Sequence, residues 1–180
     1  CETPLAASEV ALAYNDIRDI SVYVKFELEE EKGTYLLAWT TTPWTLPGNT
    51  AVAVNENVTY VKVEYNNEKF ILAKDLLEKT FGDLYNVISE FKGSEILGKK
   101  YIPVFDYYTN EEQSVKIKNY ENIYKVWHAD FVDTSMGTGI AHEAPAFGED
   151  DYNLSIKNNF PAILHVEMNG NLKSEVTDFA

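Results

Sequence analysis

Two short stretches hold the residues with chemistry to offer. Residues 38–50, AWTTTPWTLPGNT, set the hydroxyls of Thr40, Thr41, Thr42 and Thr45 and the amide of Asn49 beside two tryptophans. Hydroxyls and an amide among apolar rings are the makeup of a small pocket with a few polar anchors. Residues 130–151, DFVDTSMGTGIAHEAPAFGEDD, hold Gly137 and Gly139, then His142 at the end of a strand, Pro145 at a turn and Asp151 in the first turn of a following helix. The glycines permit close backbone approach, and a carboxylate in a first helical turn is well placed to bind a cation. Each feature also has a plain structural reading. The threonines suit a strand end and turn with Trp39 and Trp44 in the core, a first-turn acid stabilises the helix dipole by about 0.3–1 kcal/mol, and His142 suits a satisfied, partly buried histidine. His128 and His165 have no neighbours that argue for chemistry and are read as structural.

Other chemistries are excluded by what is missing. Gly137-Thr138-Gly139 lacks the third glycine of a dinucleotide loop, and no glycine-rich loop ends in Lys-Ser or Lys-Thr. His142-Glu143 begins like a zinc-protease helix, but the second histidine would fall at Ala146, and Pro145 would break the helix. Cys1 is the single cysteine, which excludes an internal disulfide and a cysteine-based zinc site. No metal and no cofactor is therefore expected, and water is the expected nucleophile of any hydrolysis. The balance of 29 acidic against 15 basic residues gives a net charge of −14, with Arg18 the single arginine. Wide contact with nucleic acid needs many cations to neutralise phosphates, so a nucleic-acid role is confined to a short end delivered by something else.

The elements that must position these residues are mostly strands. With 45% hydrophobic and 13% aromatic residues in 180, the chain fills the core of one domain, and no apolar run is long enough to span a bilayer. Alternation over 20–28 and 34–41, across a charged turn containing Gly33, predicts a hairpin. A second is predicted from 60–65 and 69–73 around Asn66-Asn67, a pair tolerant of left-handed backbone. Residues 74–81, closed by Gly82, predict a helix, and the acids at 149–151 predict another starting near Gly148. Further strands are expected at 86–91, 123–128, 139–142 and 162–166, with 106–122 a long polar excursion. Many short strands with few helices point to a barrel or curled sheet decorated by helices.

Taken together, WTTTPWTLPGN and GTGIAHEAPAFGEDD closely resemble the paired signatures of the editing (CP1) domain inserted in the isoleucyl-tRNA synthetases, class I enzymes with close relatives for valine and leucine. The opening TPLAASEVALAYNDIRDISVYVKFEL resembles the lead into that insertion, so the resemblance covers nearly the whole chain. It implies a β-rich fold with helical additions, a small closed β-barrel, forming one editing domain over 1–180 cut from a larger synthetase. The signatures for amino-acid activation are absent, so this piece is not expected to charge tRNA. The implied activity is hydrolysis of the ester of mischarged valyl-tRNA(Ile), with valyl-adenylate left open as a further substrate. The implied partners are the 3′ end of that tRNA and the remainder of the synthetase chain, with no membrane, in a cytoplasmic monomer. By resemblance Asp151 pairs with the substrate's α-ammonium, and Thr42 and Asn49 hold the ester, the ribose hydroxyls or the attacking water. Thr40, Thr41 and Thr45 line the pocket, and His142 forms the wall that limits side-chain size. Two alternatives stay open: a valine-enzyme editing domain that clears threonine, against which His142 argues, and an inert acidic β-rich interaction module, against which the joint presence of Thr42, Asn49 and Asp151 argues. Glu143 departs from the family pattern, in a position that is usually apolar.

Overall fold

The computed structural model describes Ala6, Ser8, Glu9 and residues 20–178; most of the lead segment before Ile20 lies outside the described residues. Alternation drives the first hairpin. β1 (Val22–Leu28) and β2 (Thr34–Thr40) pair antiparallel with Val22 opposite Thr40, and Val24, Phe26, Leu28, Leu36 and Ala38 turn one face inward. Gly33 closes the turn at φ +78°, where a side chain would be strained. β4 (Thr59–Tyr65) and β5 (Glu68–Ala73) form the second hairpin, and Asn66 and Asn67 take the left-handed backbone that a two-residue hairpin loop requires. With β6 (Asn86–Lys92) and β7 (Tyr101–Ile102) these strands make a six-stranded sheet in the order β6-β4-β5-β2-β1-β7.

A second sheet carries the order β8-β3-β9, from β3 (Ala51–Val54), β8 (Lys125–His128) and β9 (Ala141–Glu143). All four residues of β3 are buried, because Val52 and Val54 face the core between the sheets while Ala51 and Ala53 face a second apolar cluster with Leu154 and Phe160. A strand buried on both faces has no alternation, which is why residues 51–54 give no strand signal in the sequence. Neither sheet closes into a barrel by its own ladder. The two sheets enclose a shared core and are joined by backbone hydrogen bonds, where the Gly98 N–H donates to the Val126 carbonyl and the Tyr101 N–H to that of Tyr124, and where the end of β5 meets the approach to β9.

The helical additions are short. Residues 74–81 split into a 3₁₀ turn at Lys74–Leu76 and α1 (Leu77–Phe81), ended by Gly82 at φ +60°. The excursion at 106–122 contains one helical turn, α2 (Glu111–Ser114), and the 3₁₀ turn Tyr120–Asn122. α3 (Glu149–Asn158) starts after Gly148, carries three acids in its first turn and ends on Asn159 in left-handed backbone. The strand expected at 162–166 is not formed: its ladder is limited to the bridge from Val166 to Leu172, with the Lys173 N–H donated to the His165 carbonyl, while Ile163 and His165 pack inward. No helix among the described residues is long and apolar enough to cross a membrane.

Candidate functional site

β2 delivers the threonines. Thr40, its last residue, is buried, while Thr41 and Thr42 leave the strand and are exposed. The Thr40 hydroxyl accepts the Thr42 N–H at 3.1 Å and lies 3.2 Å from the Thr42 hydroxyl, a local bond that bends the chain out of the sheet. Pro43 then opens a 3₁₀ turn, Pro43–Gly48, that returns Thr45 and Asn49 to the interior. Trp44 is 59% exposed, so the reading that places it in the core does not hold. With Pro43, Leu46, Pro47, Phe105 and Leu172 it borders an apolar groove of about 420 Å³.

The strand β9 delivers His142. Its register against β3 sets His142 opposite Val52 and Glu143 opposite Ala51, so the two side chains leave opposite faces of the small sheet. The approach to β9 is fixed by Gly139, where a Cβ would lie 2.4 Å from that of Ala73, and by the Tyr60 hydroxyl, which donates to the Gly139 carbonyl at 2.6 Å. The Ala73 N–H donates to the Thr138 carbonyl at 2.8 Å, tying this segment to the end of β5.

These elements bring the two stretches into one hydrogen-bonded network. His142 Nε2 lies 2.8 Å from the Thr45 hydroxyl, and His142 Nδ1 lies 2.9 Å from Asn49 Nδ2. The tautomer follows from the neighbours. The Thr45 hydroxyl donates its proton to the Thr42 carbonyl at 2.8 Å, so it accepts from Nε2–H, and Nδ1 accepts from the Asn49 amide. Burial pushes the imidazole down to about 4, so the ring is neutral at physiological pH. With both nitrogens engaged it has no free lone pair to serve as a base unless the network opens.

Asn49 is more deeply committed than a ligand-binding role requires. Its Nδ2 donates to the Ala51 carbonyl at 2.8 Å and reaches the Glu143 carbonyl at 3.3 Å as well as His142, while its Oδ1 accepts the Tyr101 hydroxyl at 2.7 Å. Both amide hydrogens are therefore taken up inside the protein, and the geometry makes Asn49 the post on which His142 and the threonine turn are fixed. Thr42, exposed and with its hydroxyl near the Thr40 hydroxyl alone, is the threonine best placed to meet a ligand.

Asp151 stands in the first turn of α3, as its sequence position predicts. Its Oδ2 accepts the Ala144 N–H at 2.7 Å, which anchors the helix start to the residue that follows β9. Burial raises its pKa, an effect that this hydrogen bond partly offsets. Gly148 leaves room for it: a Cβ there would lie 2.7 Å from Asp151 Oδ1.

Several members of the site carry no sequence signal. Tyr101 lies 52 residues from the amide it holds. His165 donates from Nε2 to the Trp44 carbonyl at 3.1 Å and its ring packs on Phe147, so it pins the threonine turn to the second stretch. Gly48 permits this, because a Cβ there would be 2.7 Å from His165 Nδ1. Among the described residues no group of three or more His, Cys, Asp or Glu is arranged to hold a metal ion.

No protein-family model matches the chain. The isoleucine–tRNA ligase of Clostridium tetani is 45% identical to it over 170 residues, 94% of this chain and 16% of that protein. The isoleucine–tRNA ligase of Clostridium kluyveri is 46% identical over 177 residues, 98% of this chain and again 16% of its own length. The chain thus spans about one sixth of the length of these curated relatives. In fold it is similar to GlLeuRS-CP1, with a TM-score of 0.58 at 20% identity over 78% of this chain and 65% of that one. It is also similar to the editing domain of the cytosolic leucyl-tRNA synthetase of P. knowlesi, with a TM-score of 0.58 at 13% identity over 83% of this chain and 73% of that one. With the sequence relationship naming the ligase and the fold naming the segment, the chain is related over nearly its whole length to one segment of the isoleucine–tRNA ligases and has the fold of the editing (CP1) domains of leucyl-tRNA synthetases.

Proposed function

We propose that this domain, within the longer ligase chain, hydrolyses the ester of valine misattached to the isoleucine tRNA. The observation that carries the reading is the network in which Thr45 and Asn49 hold a neutral His142 beside the exposed Thr42, with Asp151 at the far end of the same strand exit. Valine is isoleucine minus one methylene, and a single methylene discriminates by about 1–3 kcal/mol, a general magnitude for which the isoleucine and valine pair is itself the standard example. A second pocket that admits the smaller side chain supplies the remaining accuracy.

In this reading the substrate's α-ammonium pairs with Asp151, whose Oδ2 is held by the Ala144 N–H. The side chain points at His142, whose ring is held on both nitrogens and so presents a fixed wall. The Thr42 hydroxyl meets the ester, a ribose hydroxyl or the attacking water, Thr41 lies beside it at the exposed edge, and Thr40 and Thr45 shape the floor. Asn49 acts through His142 rather than on the substrate. No side chain here is a free strong base, so the rate comes from holding water and carbonyl in line and from polarising the ester, with a neighbouring ribose hydroxyl as the adjacent proton relay. The net charge of −14 suits a cationic amino end, while the polyanionic tRNA body is held by other parts of the ligase. No cofactor takes part, and the setting is the cytoplasm.

The test is deacylation by the full-length ligase. Valyl-tRNA(Ile) should lose its amino acid while isoleucyl-tRNA(Ile) survives, and equal rates for the two refute the specificity. Faster loss of threonine from a valine tRNA would favour the threonine-clearing reading instead. Failure to bind a valine ester of adenosine would favour a non-catalytic module.

A further inference from the structure

The carboxyl of Glu143 is used by nothing in the mechanism above, yet it is 1% exposed and among the largest fully buried side chains. Its Oε2 is shielded from solvent and has no hydrogen-bond partner among the described residues. Because Glu143 pairs with Ala51, its side chain lies on the face of the small sheet opposite to His142, the face that α3 covers with Leu154. The charged and titratable groups around it are Asp151 and Asp150 from α3 and the phenol of Tyr101 from β7. On its own sheet face the register puts Lys125 on the far side of Ala51, and no ion pair joins Lys125 to Glu143 among the described residues. An ionised Glu143 would place a charge at a residue 1% exposed with no cation paired to it among the described residues, its Oε2 lacking both solvent and donor, and it would face two other anions. Burial first, and then Asp151 and Asp150, hold this carboxyl well above the ordinary carboxylate range.

We infer that Glu143 is a positioning residue, carried as a neutral carboxylic acid beneath the first turn of α3 so that Asp151 is not opposed by a second buried anion. The connection between the two is short. The Glu143 carbonyl takes the Thr50 N–H at 3.0 Å and the Asn49 amide at 3.3 Å, and the N–H of the next residue, Ala144, is the one that Asp151 accepts. A negative charge on Glu143 would repel Asp151 and draw the helix start away from β9, releasing the contact that aims Asp151. A proton on Glu143 removes that repulsion. The functional consequence rests on the reading of Asp151 as the ammonium anchor; the protonation state does not.

The test is a carbon-13 and nitrogen-15 NMR titration of the 180-residue chain and of Glu143→Gln, from about pH 3 to about pH 9, spanning the ordinary carboxylate range. The Glu143 carboxyl carbon is assigned through its own side chain and by its loss in the variant. It should stay protonated while the exposed glutamates ionise. The Ala144 amide, which reports Asp151, should titrate with the same midpoint in both proteins, since an amide and a neutral acid carry the same charge. A Glu143 carboxyl that ionises together with the exposed glutamates overturns the inference, as does an Ala144 midpoint that falls in Glu143→Gln. If the variant does not fold, the wild-type titration alone decides. A full-length ligase that hydrolyses no valyl-tRNA refutes the functional reading and leaves the titration standing, whereas an ionising Glu143 in an active ligase refutes this inference alone.

Discussion

Acidification should weaken this fold through one identifiable group. His142 is neutral in the folded state because burial lowers its pKa from 6.5 to about 4, while in the unfolded chain it titrates near its ordinary value. A group depressed in the folded state contributes stability that is complete above the unfolded pKa and is lost as pH falls. The loss should therefore begin near 6.5 and be nearly complete below about 4. At roughly 1.4 kcal/mol per pH unit this gap amounts to about 3 kcal/mol, a large share of the roughly 5–15 kcal/mol that holds a typical domain together. The structural reason is visible in the network. A protonated Nδ1 would point its hydrogen at the Asn49 amide, which is itself a donor, so the 2.9 Å contact would become repulsive. Asp151 and Glu143, both raised, act with the opposite sign, since their contribution is complete at low pH and fades as pH rises. The informative quantity is thus the difference between wild type and His142→Gln, which shares those carboxylates. Thermal midpoints measured from about pH 7 to about pH 4 should show the wild type losing on the order of 10 °C more than the variant, at about 2–4 °C per kcal/mol for a domain of this size. A constant offset reports the lost hydrogen bonds and carries no weight. A difference that is flat between pH 6.5 and about pH 4 refutes the claim that the half-buried His142 is held neutral.

Three further substitutions probe the site. Asp151→Ala should abolish valyl-tRNA hydrolysis and destabilise the domain by about 1–3 kcal/mol, because the Ala144 N–H loses a charged acceptor; hydrolysis at the wild-type rate would reduce Asp151 to a helix-end acid. His142→Ala should open space for the extra methylene and begin to hydrolyse isoleucyl-tRNA, whereas loss of valine hydrolysis with no gain toward isoleucine, the fold being intact by circular dichroism, would give the ring a polar role. Gly148→Ala keeps an allowed backbone but places a Cβ 2.7 Å from Asp151 Oδ1, so it should lower kcat/KM by about tenfold or more, the effect of roughly 1.4 kcal/mol of lost transition-state contact, with a fall in melting temperature no larger than that of Asp151→Ala. A normal kcat/KM would show that Asp151 tolerates displacement.

The two hairpins and the helix start at Gly148 were legible in the order of residues, because alternation, paired asparagines and first-turn acids are local signals that neighbouring residues alone produce. The strand Ala51–Val54 was not, since burial on both faces erases the period-two pattern, and neither was the division of the strands between two sheets, which depends on pairings between distant segments. The sequence also contained Thr45, Asn49 and His142 as candidates but not their relation. Folding across the 93 residues between them makes Asn49 a buried post for His142 instead of a group turned toward a ligand. The same holds for Tyr101 and His165, which look ordinary in the chain and become supports of the threonine turn only in space. Local chemistry selects which residues are able to act. Which of them face a ligand, and which are occupied in holding the others, is decided by long-range packing, because a hydrogen bond made inside the protein removes that group from reaction.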